Sequence, residues 1–460
     1  MITRETFLAL AASFVAVEHF VEQTPPPEPT FSPQVVQTDL DAIWSALIDV
    51  GTQPFRTSNQ TNVTALYRTT RAGIHTPMTT RAAWLAIAPV LGALNDGHVS
   101  LGFPDPLNNA PRLFPLRFAL SPDNRLIVIG DRTNTIEIGS TIDSIDNVTA
   151  ASYRDTTLAA FGGQTALLHR TRVSMAGAWS ATALFGTGPI FSVRWTSPDG
   201  TTHQSDLLAT PPVRSAATSA FQPYTYRTLK NGSIGYIDYR SCEDLDRFKT
   251  FLIDTFTSIK LNPIRALIID IRRNGGGDSD LNNVLWSYVT TKPFKQFGGI
   301  IEKSCTRLKG EYGPDKYKAI YGDEAWDAPN GKIIEFGTDP NADLIHPGPL
   351  ALRYSGPVYL LISAQTFSSA MSCALAARDY GLATIVGEET GEPVNSTGEI
   401  YTFTTPGIGL RAYLTTKVFL APKPHPNDQG VVPDIPVTTT PSDIAAGRDP
   451  VLDKVFAMIG

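Results

Sequence analysis

Apolar residues along the chain recur with three different spacings, each confined to one part of the sequence. From about residue 35 to 94 they fall three and four positions apart, which predicts amphipathic helices. Between about 112 and 212, short runs typical of β-strands are separated by Pro-Asp and Asp-Gly turns. From about 225 onward, continuous apolar strands alternate with helical stretches, which predicts parallel strands joined by right-handed crossovers.

These changes of pattern divide the chain into consecutive regions. We expect a helical domain over residues 35–111, a β-rich domain over 112–212, a mixed α/β core over 213–445 and a C-terminal helix over 446–460. The core contains a polar, irregular insertion at 294–349, which is either a lid over a cleft or a surface excursion. The predicted fold class is α/β, in a multidomain α+β arrangement.

The first 34 residues combine a signal-like segment with a proline-rich linker. The apolar run Phe7–Val17 has 11 residues, too few for a bilayer span of about 20. Small residues near its end are typical of a secretory signal, and residues 23–33 are typical of an extended linker. We expect an exported protein, periplasmic or secreted, without an integral membrane span. An ordinary N-terminal amphipathic helix is the alternative.

Composition and charge narrow the possible partners. The 460 residues include 38 Lys and Arg against 44 Asp and Glu, a net charge of −6 with no basic block, which argues against nucleic acid. The three cysteines are far apart, the seven histidines are scattered, and neither CxxC nor HExxH occurs. We therefore expect no metal and no cofactor. Nothing in the pattern indicates an oligomeric state.

Three short motifs carry residues suited to catalysis. The glycines Gly275–Gly277 follow a buried strand and free backbone N–H groups for an anion, unless they only form a tight turn. Ser368 lies between a strand and a helix, where it is either an N-cap or a nucleophile beside a free amide. His98, after Asp96 and Gly97, is either the base that a serine nucleophile needs or an ordinary loop histidine.

The glycine turn, the Ser368 segment and a terminal segment follow one another as in peptidase family S41, the C-terminal processing and tricorn-type serine proteases, which they resemble. The resemblance covers about residues 225 to 440 and ends with the segment GVVPDI at 430–435. It implies a crotonase/ClpP-like catalytic core and a PDZ-like β-rich domain. The function it implies is that of a serine endopeptidase that cleaves polypeptides through an acyl-enzyme intermediate.

The resemblance also assigns roles to single residues. Ser368 falls on the nucleophile, the Ser369 N–H on one oxyanion donor, and Gly276 on the other. Many C-terminal processing proteases place a lysine base 25 residues after the serine, but that position is Pro393 here. A Ser–Lys dyad is therefore not available at that site.

The base must then come from elsewhere, and two histidines are candidates. The Asp-Gly-His turn resembles members that use a Ser–His pair, so His98 is the expected base and His425 the reserve. Tricorn-like relatives place an acidic residue shortly before the terminal segment. We expect Asp428 to orient the base, with Glu399 as the second choice.

Two other functions are compatible with such a fold. A catalytically silent relative would use the cleft to bind a peptide or an apolar ligand, although the presence of Ser368 and His98 weighs against this. A crotonase-type acyl-CoA enzyme would share the paired amides. It would give no reason for a nucleophilic serine, and the sequence has no evident basic cluster for the CoA phosphates.

Overall fold

A computed structural model describes residues 28–104, 112–186, 188–211, 221–425 and 429–460. The apolar run expected to act as a signal lies outside these described residues. Within the described ranges, no helix is both long and apolar enough to cross a lipid bilayer.

Helices form the N-terminal part of the described chain, as the spacing of apolar residues predicts. They are α1 (Pro33–Val50), α2 (Gln60–Gly73) and α3 (Thr80–Gly92), beside a two-stranded sheet of β1 (Thr30–Phe31) and β2 (Met78–Thr79). Side chains of Ser32, Asn59 and Thr79 cap the three helices by accepting backbone N–H groups. The helices share one hydrophobic core with Tyr317 and Leu414 of a later sheet, so they are packed into the rest of the molecule.

A sheet and two helices follow in the region predicted to be β-rich. The strands are β4 (Leu116–Leu120), β5 (Leu126–Asp131), β6 (Thr141–Ile145), β7 (Val148–Thr149), β8 (Ile190–Thr196) and β9 (Thr202–Leu208). Their order is β4-β5-β6-β8-β9, with β7 paired to β6. Helices α4 (Ala150–Ala160) and α5 (Ala166–Phe185) lie between β7 and β8 in sequence. Phe118, Tyr153 and Phe191 are central to the core of this region.

The largely parallel sheet predicted after residue 225 is present. Its strands are β10 (Tyr224–Leu229), β11 (Ile234–Tyr239), β12 (Ala266–Asp270), β15 (Val358–Ile362), β16 (Thr384–Gly387) and β19 (Ile435–Pro436), in that order. Only β10 pairs antiparallel within this sheet. Leu267 and Ile269 face a helical layer, and Ile268 faces the C-terminal helix, as the alternation of a strand buried on both faces requires.

Helices cover both faces of this sheet. The first layer contains α6 (Leu245–Leu261), α7 (Asp280–Ser287) and α9 (Ser369–Tyr380), and the opposite face carries α11 (Pro450–Ile459). A short helix α10 (Pro441–Ala445) precedes the last one. The parallel order of β12, β15 and β16 brings the carboxyl ends of these three strands to one edge.

A third sheet and the helix attached to it contain most of the predicted insertion. It consists of β14 (Ile333–Phe336), β13 (Gly299–Lys303), β18 (Arg411–Leu420) and β17 (Ser396–Thr404) in that order, with β3 (Ser100–Leu101) paired to β18. Helix α8 (Thr306–Asp327) connects β13 to β14. Residues 294–349 therefore supply two strands and a helix whose buried tyrosines belong to the core of α1, rather than a loose excursion.

Candidate active site

Three neighbouring strand ends supply most of the candidate site. The glycine turn Gly275–Gly277 follows β12, Ser368 follows β15, and Glu392 follows β16. Because β12, β15 and β16 are adjacent and parallel, all three segments meet at the carboxyl edge of the sheet. This edge is where α/β sheets bind ligands.

Ser368 occupies a strained position at the start of α9. Its backbone has φ 55° and ψ −130°, a combination that costs a non-glycine residue about 1–3 kcal/mol. Although it is the N-cap residue, its side chain makes no capping hydrogen bond, so the hydroxyl is not used for helix capping. The Ser369 N–H stands at the first helical position, where it has no intrahelical acceptor. Both residues line a cavity.

Gly276 packs against the nucleophile candidate. It has φ +103°, and a Cβ at this position would lie 2.6 Å from Cβ of Ser368, so the site accepts only glycine. Its N–H donates to Oδ1 of Asn274 at 2.8 Å. The expectation that Gly276 supplies an oxyanion donor is therefore corrected, because its single N–H hydrogen is already engaged.

The peptide between Gly276 and Gly277 offers another N–H group for the oxyanion. Cys242 donates its N–H to the Gly276 carbonyl at 3.0 Å, and a planar trans peptide then directs the Gly277 N–H to the opposite side. The Ser369 hydroxyl donates to the Gly277 carbonyl at 2.5 Å, which fixes this glycine against α9. Gly277 lines the same cavity as Ser368.

His98 enters this cavity from the loop between α3 and β3. Its side chain is only 4% exposed, and its ring packs on that of Phe367 with centroids 4.5 Å apart. Nδ1 lies 3.4 Å from Oε2 of Glu392 and 3.9 Å from Oδ1 of Asp96. Across the described residues, these are the carboxylates within 4 Å of the His98 ring.

The two carboxylates have different surroundings. Asp96 accepts hydrogen bonds from the His98 N–H at 2.8 Å, from Gln164 at 3.2 Å and from Thr397 at 2.7 Å, so it holds the turn that carries His98. Glu392 has a fully buried side chain. Glu392 is therefore free to orient the imidazole, while Asp96 is occupied by the loop.

Burial governs the protonation of His98 and Glu392. It lowers the pKa of His98 to about 4, against the opposing effect of the Asp96 charge, and Arg172 adds to the decrease. Burial, with the Asp96 charge, also raises the pKa of Glu392 well above its usual range, opposed by the Ser368 N–H and Arg172. His98 is thus neutral at pH 7 and able to accept a proton.

Two residues of the β-rich region reach the same turn. Arg172 donates to the Gly97 carbonyl at 2.6 Å, and its guanidinium lies 5.6 Å from the centroid of Phe367. Gln164 accepts the Gly97 N–H at 2.9 Å. The sequence pattern gave no signal for either residue. It gave a near signal for Glu392, which directly precedes the position of the family lysine.

Of the remaining candidates, His425 and Glu399 do not contact His98. His425 lies near the far end of α9, about 16 Å from its start, with Nε2 3.1 Å from Oδ1 of Asp379. Glu399 lines the cavity but is not within 4 Å of the His98 ring. Asp428 lies outside the described residues.

The cavity has a volume of about 1110 Å³ and is bounded by the glycine turn, the start of α9, the His98 loop, β17, β18 and α8. In the described part of the chain, no group of three His, Cys, Asp or Glu side chains is arranged to hold a metal ion. Ser368 and His98 both line this cavity, and Glu392 lies beside the His98 ring, so the groups that acyl transfer by a serine requires are close together.

Comparison with known family models finds one match. Residues 233–437 match the model of peptidase family S41. This match confirms the resemblance of the motifs to family S41 and supports peptidase function. No curated protein matches the chain in sequence.

Solved structures share the fold over nearly the whole chain. Mature CPAF superposes with a TM-score of 0.64 at 18% identity, over 93% of this chain and 98% of CPAF. Mature CPAF complexed with lactacystin superposes with a TM-score of 0.65 at 17% identity, over 93% of this chain and 98% of that one. A serine-to-alanine mutant of CPAF gives 0.67 at 18%, over 93% and 97%. These likenesses show a common fold.

Proposed function

We propose that the protein is a serine endopeptidase that cleaves polypeptides through an acyl-enzyme intermediate. Ser368 is the nucleophile, His98 the general base and Glu392 the orienting carboxylate. The observation that carries the proposal is the 3.4 Å approach of Glu392 to Nδ1 of His98, which lines the same cavity as Ser368. The family match and the CPAF fold support the same reaction class.

The geometry supports a specific sequence of proton transfers. With Nδ1–H directed at Glu392, Nε2 of neutral His98 carries the lone pair that takes the Ser368 hydroxyl proton as its oxygen attacks the substrate carbonyl. The imidazolium then returns this proton to the leaving amine. A water molecule, deprotonated by the same nitrogen, hydrolyses the acyl-enzyme and regenerates Ser368. The reaction needs no cofactor.

Backbone amides stabilise the oxyanion in this scheme. We assign the Ser369 N–H and the Gly277 N–H, which replaces that of Gly276. Both residues line the cavity beside Ser368, and removal of one such donor in serine proteases costs about 10²–10³ in kcat. Glu392 likewise replaces Asp428 and Glu399 as our first choice for the orienting carboxylate.

Two further assignments rest on the sequence. We propose that Phe7–Val17 directs export, which N-terminal sequencing of the protein recovered from outside the cytoplasm would test. We also propose that the sheet and two helices within 112–212 form a PDZ-like domain. Their support is the six-stranded sheet with α4 and α5 between β7 and β8.

Hydrolysis of an unfolded polypeptide tests the proposed function. We expect cleavage by the unaltered chain, none by Ser368→Ala, and a kcat about 10²- to 10⁴-fold lower for Glu392→Gln. Asp428→Asn and Glu399→Gln are the matched comparisons and should lose far less. A full loss in either of these, with Glu392→Gln active, would contradict the assignment of Glu392. The silent-binder alternative predicts no cleavage by any form.

A further inference from the structure

Lys417 lines the active-site cavity from the strand that also supports the His98 turn. Alternate residues of a strand share one face, so Thr415, Lys417 and Phe419 project to the same side of β18. Thr415 donates to Oδ2 of Asp96 at 3.3 Å, and Lys417 and Phe419 line the cavity. Two strand residues span about 7 Å, which places Lys417 one step along the cavity wall from the catalytic loop.

The Lys417 ammonium has donor capacity to spare. Its Nζ donates to the Ile320 carbonyl at 2.5 Å and lies 4.9 Å from the ring centroid of Tyr321. An ammonium has three N–H donors, and this carbonyl uses one of them. The side chain is 8% exposed, and Lys417 is among the residues that line the cavity.

Glu302, the acidic residue beside Lys417, is a weak partner for its ammonium group. Oε2 of Glu302 lies 3.5 Å from Nζ of Lys417, longer than an N–H···O hydrogen bond, and neither carboxylate oxygen of Glu302 receives a hydrogen bond from the described residues. Burial raises the pKa of Glu302 to about 7 against the opposing charge of Lys417, and Glu324 and Glu399 add to the rise. Glu302 therefore balances the Lys417 charge incompletely.

We propose that Lys417 is a specificity-determining residue that binds a carboxylate of the substrate, from an acidic side chain or a free C-terminus. The proposal rests on the polypeptide substrate proposed above. A substrate carboxylate can form a charge-assisted hydrogen bond of about 2.7–2.9 Å to Nζ, which the 3.5 Å contact with Glu302 does not provide.

Other charged residues along the cavity limit the preference for an acidic group to one substrate position. Asp278, Asp280 and Glu399 also line the cavity and repel acidic groups elsewhere along it. Arg172, the other cation that lines the cavity, donates to the Gly97 carbonyl. An acidic group is therefore expected to improve binding at a single substrate position.

Peptide binding to the full chain carrying Ser368→Ala tests the proposal without turnover. The probes are fluorescein-labelled peptides in which one glutamate is moved through the sequence, each paired with its glutamine analogue. A second set compares a free C-terminus with an amide. We expect about tenfold or tighter binding of the acid at one position, and the set in which it occurs identifies the source of the carboxylate.

Variants of Lys417 and Glu302 then show which residues cause the preference for the acidic peptide. Glu302→Gln removes the competing carboxylate and should increase the acid preference. Lys417→Met combined with Glu302→Gln removes both charges, leaves no unpaired buried charge, and should abolish the preference. Lys249→Met, at an exposed position on α6, is the control and should retain it.

The outcomes separate the two proposals. Equal binding of acid and neutral peptides at every position, or an acid preference that survives in the double variant, contradicts the role of Lys417. Absence of binding by every peptide contradicts the polypeptide substrate itself. Thermal unfolding monitors the fold, and if the double variant does not fold, the Glu302→Gln result decides, since an unchanged or weakened preference there contradicts the proposal.

Discussion

Burial makes His98 a different base from a histidine in water. The resting site avoids charge, because the same apolar surroundings lower the pKa of His98 and raise that of Glu392. When Glu392 is ionised, attack by Ser368 creates an imidazolium beside this carboxylate, and the two charges stabilise each other. The favourable ion pair therefore belongs to the transition state more than to the free enzyme.

The pH profile of kcat/KM reports the lowered pKa of His98. Since burial lowers the pKa of His98 to about 4, the base stays neutral well below the ordinary value of about 6.5. We expect the acid limb of a peptide-hydrolysis profile to lie near pH 4 to 5. A limb near 6.5 that persists in Glu392→Gln would contradict burial of the free base, since Glu392 cannot then cause it. Because the unfolded chain binds this proton at higher pH, acidification from 6.5 towards 4 should also reduce the free energy of unfolding through His98.

At the scale of elements, the turn after β12 and the start of α9 act as one unit. Gly276 touches Ser368, and the Ser369 hydroxyl holds the Gly277 carbonyl. Sequence reasoning located this unit, because a buried strand, a turn and a helix follow one another locally. It missed Glu392, whose approach to His98 depends on the pairing of β16 with β15 and on a loop almost 300 residues earlier in the chain.

Gly276→Ala tests the close contact between the turn and the nucleophile. The new Cβ would lie 2.6 Å from Ser368 Cβ in a left-handed backbone, so it must displace one of the two segments. We expect kcat to fall by about 10²-fold or more, as misplaced catalytic groups commonly do.

Gly275→Ala is the matched control from the same turn. A Cβ at Gly275 meets no atom within 4 Å and the backbone is not left-handed there, so kcat should remain within a few fold. Similar losses in both variants would show that the turn as a whole, rather than the contact with Ser368, limits activity.

In the whole molecule, the N-terminal helices hold the wall of the cavity. Asp39 of α1 is fully buried and accepts hydrogen bonds from Thr405 at 2.7 Å, Gly407 at 2.8 Å and Ile408 at 2.7 Å, in the loop between β17 and β18. The sequence predicted α1 from its apolar spacing. It could not predict this contact, which joins segments more than 360 residues apart.

Asp39→Ala should therefore destabilise the protein strongly. It leaves two partly buried backbone N–H groups and the buried Thr405 hydroxyl without their acceptor, at a cost of about 3 kcal/mol in the free energy of unfolding. Denaturant unfolding measures this. Asp41→Ala, which removes a partly exposed pair with Arg71 and a hydrogen bond from the Tyr67 hydroxyl, is the control and should cost about 1–2 kcal/mol. Equal losses of stability in the two variants would contradict the role of Asp39 in holding the loop between β17 and β18.

Covalent labelling with a fluorophosphonate tests the central claim most directly, since the probe reacts with an activated serine. Mass spectrometry should find one label on Ser368 in the unaltered chain and in the control Ser152→Ala, an exposed position on α4. The label should be absent from Ser368→Ala and form far more slowly in His98→Ala. A label that persists in Ser368→Ala or moves to Ser369, or no label on the unaltered chain, would contradict the account.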